Sequence, residues 1–426
     1  MLCFGPMNTY LRRSVQAILI MSAAMTTTHL AAQNPGGGPP PQNQPGPPAG
    51  PPVDGALEGF GVALAGLDAT STRAFEDGLA EFIRLEEVAG GLGPVFNDRS
   101  CAACHNQGGI GGGSGRTVTR FGRIADGRFD PLTALGGSLI QERGIGRTAG
   151  RRGDTDAFQG ESVPAEATVV ARRRTTPLFG LGLVDAVPDS AIESLASAQA
   201  TGADGVRGRV NYVVDAESGR VMAGRFGWKA QSPTLLHFSG DAYLNEMGIT
   251  SPRFPDEVCP QGDCAALQFN PVPSLNDDGR GVQAAATFMR LLAAPPRGTI
   301  TPQVRTGEAV FTSAGCAACH VPTLRTGPSA TPALNQKVLA PYSDFLLHDM
   351  GSLGDGIVQA GASGQEMRTA PLWGLRAVRR YLHDGTATTL EQAIERHEGE
   401  GSRARDRFTQ LDRADRAALL AFLNSL

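Results

Sequence analysis

The pentapeptide CAACH occurs twice in this chain of 426 residues, at positions 101–105 and again at 316–320. Each copy places two thiols and one imidazole within five residues, a spacing that lets all three engage one bound group. At the chain's own frequencies of cysteine and histidine, chance would give on the order of 0.002 such pentapeptides. The repeat therefore requires a fold with two separate sites, each built around one copy.

The pattern CxxCH is the attachment signal for c-type haem, in which two thiols bond to the porphyrin vinyl groups and the histidine ligates the iron. The sequence therefore predicts two covalently bound haem c groups. Zinc binding and thioredoxin-like thiol exchange are the alternatives for a CxxC pair, but no βαβ pattern surrounds either copy. The predicted attachment residues and proximal iron ligands are Cys101, Cys104, His105, Cys316, Cys319 and His320.

The N-terminal segment is typical of an export signal. Arg12 and Arg13 precede the apolar run SVQAILIMSAAM, and HLAAQ offers small residues for cleavage. We predict a signal peptide at residues 1–32 and a periplasmic or secreted mature protein without a membrane span. The run is shorter than a typical span, although an uncleaved anchor is an alternative. Residues 33–53 are dominated by Pro and Gly, which predicts a disordered linker.

The remaining cysteines also have a predicted role. Of seven cysteines, Cys3 lies in the signal segment and four belong to the two pentapeptides. Cys259 and Cys264 flank PQGD, a turn-forming segment short enough to bring their thiols together. We predict a loop disulfide between them, with two unpaired buried cysteines as the alternative.

Hydrophobic periodicity predicts a mainly α chain. Predicted helices cover residues 71–87, 189–198, 277–293, 301–315 and 411–426, whereas the chain from 108 to about 274 is expected to be mostly loops with one β-hairpin in 210–228. Pro295 and Pro296 end a helix and mark a domain boundary. The predicted organisation is two cytochrome c-like haem domains, residues 54–296 with an insertion and residues 297–426.

The charge balance excludes one class of partner. The chain carries 38 basic and 42 acidic residues, a formal net charge of -4, so it lacks the positive footprint of a nucleic-acid binder. Proteins and small molecules are the expected partners.

The second axial ligand of each iron decides whether it only passes electrons or also binds a small oxidant. His397 is the predicted ligand of the second haem, because TTLEQAIERHEGEG indicates a helix, capped by Thr388, whose apolar face includes this histidine. A hydrogen-bonded core histidine is the alternative. His348 and Met350 are competing ligands, and His383, at a predicted turn, is expected either to contact the haem edge or to hydrogen-bond the backbone.

The first haem has fewer candidate partners. Between the two pentapeptides His237 is the one histidine, and it is a candidate axial ligand or distal acid/base, or else a core or surface residue. The first iron is therefore predicted to keep an open face.

These features resemble the di-haem cytochrome c peroxidase and MauG family, and within it the di-haem oxidoreductases often labelled thiol oxidoreductases. The resemblance rests on RTAPLWGLRAVRRYLHDGTATTLEQAIERHEGE, GLGPVFNDRSCAACH and GRFGWKA, and it extends over most of the chain after Asp54. It implies peroxide reduction at an open first haem, with electrons relayed by a low-spin second haem. In the peroxidases a methionine ligates the second haem at the place of His397, and in MauG a tyrosine does so.

The resemblance implies further site residues. Trp228 is the preferred candidate for a tryptophan between the haems, with packing as the alternative. Arg368 would suit a haem propionate, with a surface salt bridge as the alternative. A distal glutamate cannot be aligned, and the candidates are Glu142, Glu161 and Glu166.

The resemblance also bears on partners. It implies a small electron-donor protein, either a cytochrome or a cupredoxin, and in some relatives a calcium ion between the haems. The alternative functions are pure electron transfer and MauG-like oxidation or oxygenation of a protein or organic substrate.

Overall fold

A computed structural model describes residues 52–149, 155–202 and 204–426 of the chain. The predicted signal peptide, Cys3 and nearly all of the predicted linker lie outside the described residues. Helices contain 34% of the described residues and strands contain 15%, so helical residues are about twice as numerous as strand residues. No helix in the described part of the chain is long and apolar enough to cross a membrane.

The helices follow one another along the whole described chain. They are α1 (Ala69–Ile83), α2 (Cys101–Cys104), α3 (Leu181–Asp185), α4 (Asp189–Ala200), α5 (Leu235–Met247), α6 (Arg280–Leu291), α7 (Pro302–Ser313), α8 (Leu390–Glu395), α9 (Ser402–Thr409) and α10 (Arg413–Leu423).

The strands are short and pair antiparallel. They are β1 (Val95–Phe96), β2 (Thr117–Ala125), β3 (Arg128–Asp130), β4 (Arg143–Gly144), β5 (Gly146–Ala149), β6 (Thr155–Phe158), β7 (Val169–Arg174), β8 (Tyr212–Val214), β9 (Val221–Ala223), β10 (Leu324–Arg325), β11 (Val338–Leu339), β12 (Leu347–Asp349) and β13 (Glu366–Arg368). Strand β2 pairs with both β3 and β7, and the other strands form two-stranded pairs.

The packing of α1 against α6 supports the first pentapeptide. Helix α1 begins after Asp68, whose carboxylate accepts a hydrogen bond from the Ser71 N–H at 2.7 Å. Phe75 and Phe82 are buried, and their ring centroids lie 5.3 and 4.6 Å from that of Phe288 on α6. Both predicted helices are confirmed: α6 is shorter at each end, whereas α1 begins two residues before and ends four residues before its predicted bounds.

The packing of α7 against α10 supports the second pentapeptide. Thr301 caps α7, and the Phe311 and Phe422 rings meet at 5.2 Å. The helix axes approach closely at Gly307, where a Cβ atom would lie 1.9 Å from the carbonyl oxygen of Ala418. Only glycine fits there, so the small residue sets the distance between the helices. Both predicted helices are confirmed.

The region 108–274 was predicted to be mostly loops, and helices and strands do cover less than half of it, but it contains more regular structure than expected. The β8–β9 hairpin is confirmed, but the β3–β2–β7 sheet and helix α5 were not foreseen. In β7 the usual pattern is reversed, because Arg173 and Arg174 are buried whereas Val170 is 54% exposed. In α5 the buried face includes Ser239 and Gly240, so the apolar period is weak.

The predicted cap Thr388 is corrected, and α4 begins without a side-chain cap. Helix α4 follows Pro188, and the carboxylate of Asp189 leaves the helix to bond the Ala223 N–H. Helix α8 is capped by Thr389, whose hydroxyl accepts from the Gln392 N–H at 3.1 Å, and it ends at Glu395.

The predicted disulfide is confirmed between Cys259 and Cys264, with their Cα atoms 4.5 Å apart. The largest buried core joins side chains from both predicted haem segments, including Phe288 and Phe345. The described residues belong to one compact unit. The boundary at 296/297 stays a prediction.

Candidate functional site

The second pentapeptide follows α7 through a tight turn. Gly315 takes a left-handed conformation (φ 87°), and a 3₁₀ turn, Cys316–Ala318, then brings His320 into the interior. The Nδ1 atom of His320 lies 2.9 Å from the carbonyl oxygen of Tyr342. Burial lowers the pKa of His320 to about 4. The imidazole is therefore neutral, with Nδ1–H donating to a carbonyl and Nε2 free, as a metal-ligating histidine requires.

A large cavity, here called the main cavity, opens beside His320 and is also lined by His397. His397 lies two residues beyond α8, and its Nδ1 donates to the Ala393 carbonyl at 2.9 Å. Burial lowers the pKa of His397, and the imidazoles are near enough for a charge on it to lower the pKa of His320 further. Apolar side chains form much of the wall, among them Phe311, Leu372, Leu390, Ile394 and Leu419.

The donor set and the wall fit a haem. Two thiols at CxxC spacing, a neutral histidine with a fixed ring and a second such histidine share one apolar cavity. The structure thus brings together four of the residues that the sequence predicted for the second haem: Cys316, Cys319, His320 and His397.

His348 does not offer a free nitrogen. Its Nε2 lies 3.0 Å from Asp344 and its Nδ1 lies 2.7 Å from Glu400. Burial by itself would lower the pKa of His348, but hydrogen bonds led by that to Asp344 raise it to about 12. The side chain is a buried cation between two carboxylates, which corrects its prediction as an iron ligand.

Met350 and His383 both line the main cavity. A Cβ atom on Gly401 would lie 3.3 Å from Cε of Met350 and 3.0 Å from Cβ of His397, so the thioether is a neighbour of that histidine. Met350 therefore stays an alternative ligand. The His383 ring lies 6.2 Å from Trp228, and burial lowers its pKa.

Two buried guanidinium groups line the main cavity. Arg368 and Arg174 are 7% and 8% exposed, and burial lowers the pKa of each to about 10. Arg368 donates to the carbonyls of Gly227 and Thr369. Among the described residues, neither arginine forms an ion pair within 4 Å. The surface salt bridge considered for Arg368 is therefore wrong, and an anionic group such as a haem propionate suits both cations.

Trp228 lies on the wall of the main cavity, 9% exposed. Its indole N–H donates to the Arg174 carbonyl at 2.9 Å, and the Arg174 guanidinium lies 5.7 Å from the ring centroid. Trp373 lines the same cavity, and the role of Trp228 as an electron bridge stays a prediction.

The first pentapeptide forms the short helix α2. His105 follows it, with Nδ1 3.0 Å from the carbonyl of Gly112, and burial lowers its pKa to about 4. The ring of Phe82 meets His105 edge-on at 6.1 Å. His105 is thus a neutral imidazole with a fixed Nδ1, as His320 is.

The thiols of both pentapeptides are unpaired, and the four cysteines are partly buried. Burial raises the pKa of Cys101 to about 12 and those of Cys104 and Cys316 to about 11. A thioredoxin-like thiolate needs a lowered pKa, so thiol exchange is disfavoured. In the described residues the one group of side chains close enough to share a metal ion is Cys319, Asp344 and His348. That group includes only one thiol of a CxxC pair, so a zinc site built on both thiols of either pair is disfavoured as well.

The side chains predicted to act at the first haem either have other hydrogen-bond partners or are exposed. Nδ1 of His237 accepts from the Ala216 N–H at 3.0 Å, and its ring packs on Phe254. The two carboxylate oxygens of Glu161 accept from the N–H groups of Gln141 and Gln261 at 2.8 and 2.6 Å. Glu142 and Glu166 are exposed.

Glu246 was missed by the sequence analysis. It lies on α5, and its Oε2 accepts from the Asn97 side chain at 2.8 Å. Burial raises its pKa, and its charge in turn raises the pKa of Cys104, which places Glu246 near the first pentapeptide. No local pattern marks it, because α5 itself was not predicted.

Comparison with known proteins identifies the family. The family model described as "Di-haem oxidoreductase, putative peroxidase" matches residues 155–426, which contain the second pentapeptide but not the first. No curated protein matches at a significant level.

Similar solved structures are distant. They include a Kuenenia stuttgartiensis hydrazine synthase, with 14% identity and a TM-score of 0.35 over 89% of this chain and 100% of that chain. A MauG-like protein associated with microbial copper homeostasis has 19% identity and a TM-score of 0.29 over 58% of this chain and 89% of that chain. At such TM-scores neither likeness adds to the fold or function of this chain. The family match, which spans more than half of the sequence, shows that the chain belongs to the di-haem oxidoreductases.

Proposed function

We propose that the protein is an exported di-haem c-type oxidoreductase that reduces hydrogen peroxide at the first haem, with electrons relayed by the second. The observation that supports this proposal is that the two sites differ in whether a second histidine lies beside the proximal one. His320 shares the main cavity with His397, a second neutral imidazole with its Nδ1 on a carbonyl. In the described residues the contacts of His105 include no second histidine.

The residues at the second site would hold a haem with two nitrogen ligands. Cys316 and Cys319 would attach it, and His320 and His397 would ligate its iron. The bound group would supply one-electron transfer, and an iron with an open face would also bind a small oxidant. The apolar wall would keep water from the iron, which strengthens the electrostatic effect of the buried arginines Arg174 and Arg368.

The residues at the first site would leave one face of the iron open. Cys101, Cys104 and His105 account for the attachment and the proximal ligand. Peroxide cleavage also needs a group that holds and delivers a proton. Glu246 is our candidate, because it is a partly buried carboxyl with a raised pKa near Cys104 and its Oε1 is not used by Asn97.

The proposal is tested by the spin state of the ferric protein. In electron paramagnetic resonance we expect one low-spin and one high-spin signal from the wild type. His397→Ala should convert the low-spin signal to high spin. His383→Ala, which changes another histidine of the same cavity, is the matched control and should keep it. An unchanged spectrum in His397→Ala would exclude His397 as a ligand of the second iron, with Met350 as the remaining candidate.

The reaction itself is tested by turnover. Purified holoprotein, with and without pre-reduction, should consume peroxide with a reduced small cytochrome or cupredoxin as donor. Glu246→Gln should lower kcat without changing the spin-state spectrum, because the amide cannot deliver a proton. Absence of turnover in both redox states would overturn the peroxidase assignment.

Pure electron transfer is the second candidate function. Met247 is buried in a cluster against which Cys101 packs, so a thioether is close to the first attachment site. If it ligated the first iron, both haems would be low-spin and no high-spin signal would appear. MauG-like oxidation of a protein or organic substrate would instead keep the high-spin signal with little peroxide turnover. Calcium binding is a further proposal, tested by metal analysis of the purified protein.

A further inference from the structure

Lys229 is an unusual residue in this chain. The sequence contains 36 arginines but only two lysines, Lys229 and Lys337. Lys337 is exposed, as lysines usually are, whereas Lys229 is 0% exposed. Burying an ammonium group costs free energy unless hydrogen bonds and opposite charge offset the lost hydration. The surroundings of Lys229 must therefore supply them.

The ammonium group of Lys229 is enclosed by oxygen atoms. Its Nζ lies 2.9, 3.3 and 2.5 Å from the backbone carbonyl oxygens of Ser363, Gly364 and Glu366. A carboxylate oxygen of Asp355 lies 3.0 Å away on the same loop. Four oxygens thus surround three N–H donors. We call this set of four oxygens the oxygen cage.

The charge around the oxygen cage is balanced by few groups. The side chain of Asp355 is 1% exposed, and its other oxygen lies 2.6 Å from Nε of Arg173. One buried carboxylate therefore faces two buried cations, and the carbonyl dipoles, with the nearby Glu366 carboxylate that pairs with Arg209, stabilise the remaining positive charge. Backbone carbonyls and a carboxylate converging on one point are the ligands that proteins use for hard metal cations.

The geometry explains why a lysine stands here in an arginine-rich chain. A guanidinium group is planar and points its five donors outward in a fork, which suits carboxylates and flat surfaces. An ammonium group is a compact charge with three donors directed to one side. Only the ammonium can occupy the centre of converging carbonyls.

The oxygen cage is connected to two residues that line the main cavity. Lys229 directly follows Trp228, and the Trp228 carbonyl accepts from the Arg368 N–H at 2.9 Å. Glu366, which contributes a carbonyl to the cage, begins strand β13, and Arg368 ends it. The cage therefore joins the segment that carries Trp228 to the strand that carries the buried cation Arg368.

We propose that the Lys229 ammonium takes the place of a bound metal ion at the centre of the oxygen cage. Its hydrogen bonds hold the cage together and so position Trp228 and Arg368 on the wall of the main cavity. Lys229 is a positioning residue in this view. The wild-type cage needs no metal ion, and removal of the side chain creates an oxygen site of suitable charge for a monovalent cation such as K⁺.

The first test uses the unmodified wild-type holoprotein. Amine acetylation followed by peptide mass spectrometry compares the two lysines in one molecule. Lys337 should react as a free surface amine, whereas Lys229 should react at least about 100-fold more slowly, because only opening of the cage exposes it. Similar rates for both lysines would overturn the proposal.

The second test is cation rescue. Thermal unfolding of Lys229→Ala holoprotein is compared in KCl and in tetramethylammonium chloride of equal ionic strength, since the organic cation is too large for the cage. We expect Tm to fall in the variant and to rise by a few degrees in KCl alone, because an ion that binds only the folded state stabilises it. The same salt change should leave wild type and Lys337→Ala unaffected.

A volume-matched variant separates charge from packing. Lys229→Met fills the space without a charge, so it should be destabilised like Lys229→Ala but should show no preference for KCl. Wild-type stability in Lys229→Met, or equal Tm of Lys229→Ala in both salts, would overturn the proposal. If Lys229→Ala yields no folded protein, the acetylation rates of wild type decide the question.

Discussion

Replacing His348 should change both the stability of the protein and its dependence on pH. The imidazolium bridges Asp344 and Glu400; the side chains of His348 and Asp344 are buried, at 2% and 0% exposure, and that of Glu400 is 15% exposed. His348→Gln removes the positive charge and leaves the two carboxylates without a cationic partner. Breaking a buried ion pair from one side costs about 3–5 kcal/mol, so we expect a loss of this size in the free energy of unfolding near neutral pH.

The pH dependence follows from the direction of the pKa shift. The folded pKa of His348 lies far above the unfolded value of about 6.5, so folding retains a proton that the unfolded chain releases. This stability is fully present below pH 6.5 and is lost as pH rises toward the folded pKa. The loss is about 1.4 kcal/mol per pH unit, or about 3 kcal/mol between pH 6.5 and 8.5.

The assay is denaturant unfolding of holoprotein at several pH values from 5 to 9. His348→Gln should lack the fall in stability above pH 6.5, so its difference from wild type should shrink as pH rises. His383→Gln is the matched control, because burial lowers the pKa of His383 and its contribution changes only below pH 6.5. Parallel stability curves for wild type and His348→Gln would refute the charged state of His348.

Two further variants test the packing of the fold. Gly307→Ala should be destabilised by about 1–3 kcal/mol despite the better helix propensity of alanine, because its Cβ would meet the Ala418 carbonyl at 1.9 Å. Ala309→Gly, on the exposed side of α7, is the control that measures the effect of helix propensity alone, about 1 kcal/mol. A Gly307→Ala variant as stable as wild type would contradict the close approach of α7 and α10. Replacing Cys259 and Cys264 together by alanine should cost about 2 kcal/mol in chemical denaturation, since the bridge closes a short loop. Reductant should lower the stability of wild type but not of this double variant, and equal responses would argue against the bond.

Helices with a strong local signal could be predicted from the sequence. Helices α1, α6, α7 and α10 repeat apolar side chains at helical spacing, and three of the four start after a side-chain cap. Strand β7 could not be predicted, because its buried residues include Arg173 and Arg174. Those arginines are tolerated inside only because Asp355 and the carbonyl of Leu382 reach them from distant parts of the chain.

The candidate iron ligands show the same contrast between a local sequence signal and the effect of distant residues. His397 was predicted on the face of a capped helix, and it does line the main cavity, although the helix ends two residues before it. His348 was a competing candidate in the sequence. Its partner Glu400 lies 52 positions away, and that contact removes the free nitrogen.

The sequence by itself determined the chemistry that depends on local spacing: two CxxCH pentapeptides, a short disulfide loop and helices with an apolar period. These follow from neighbours within a few residues, whose geometry the backbone dictates. Tertiary structure decided which polar groups are neutral, charged or free. His348 became an ion-paired cation, Glu246 came near Cys104, and Lys229 came to be enclosed by carbonyls. The physical reason is that burial and charge partners set the state of an ionisable group, and both come from residues far away in the chain.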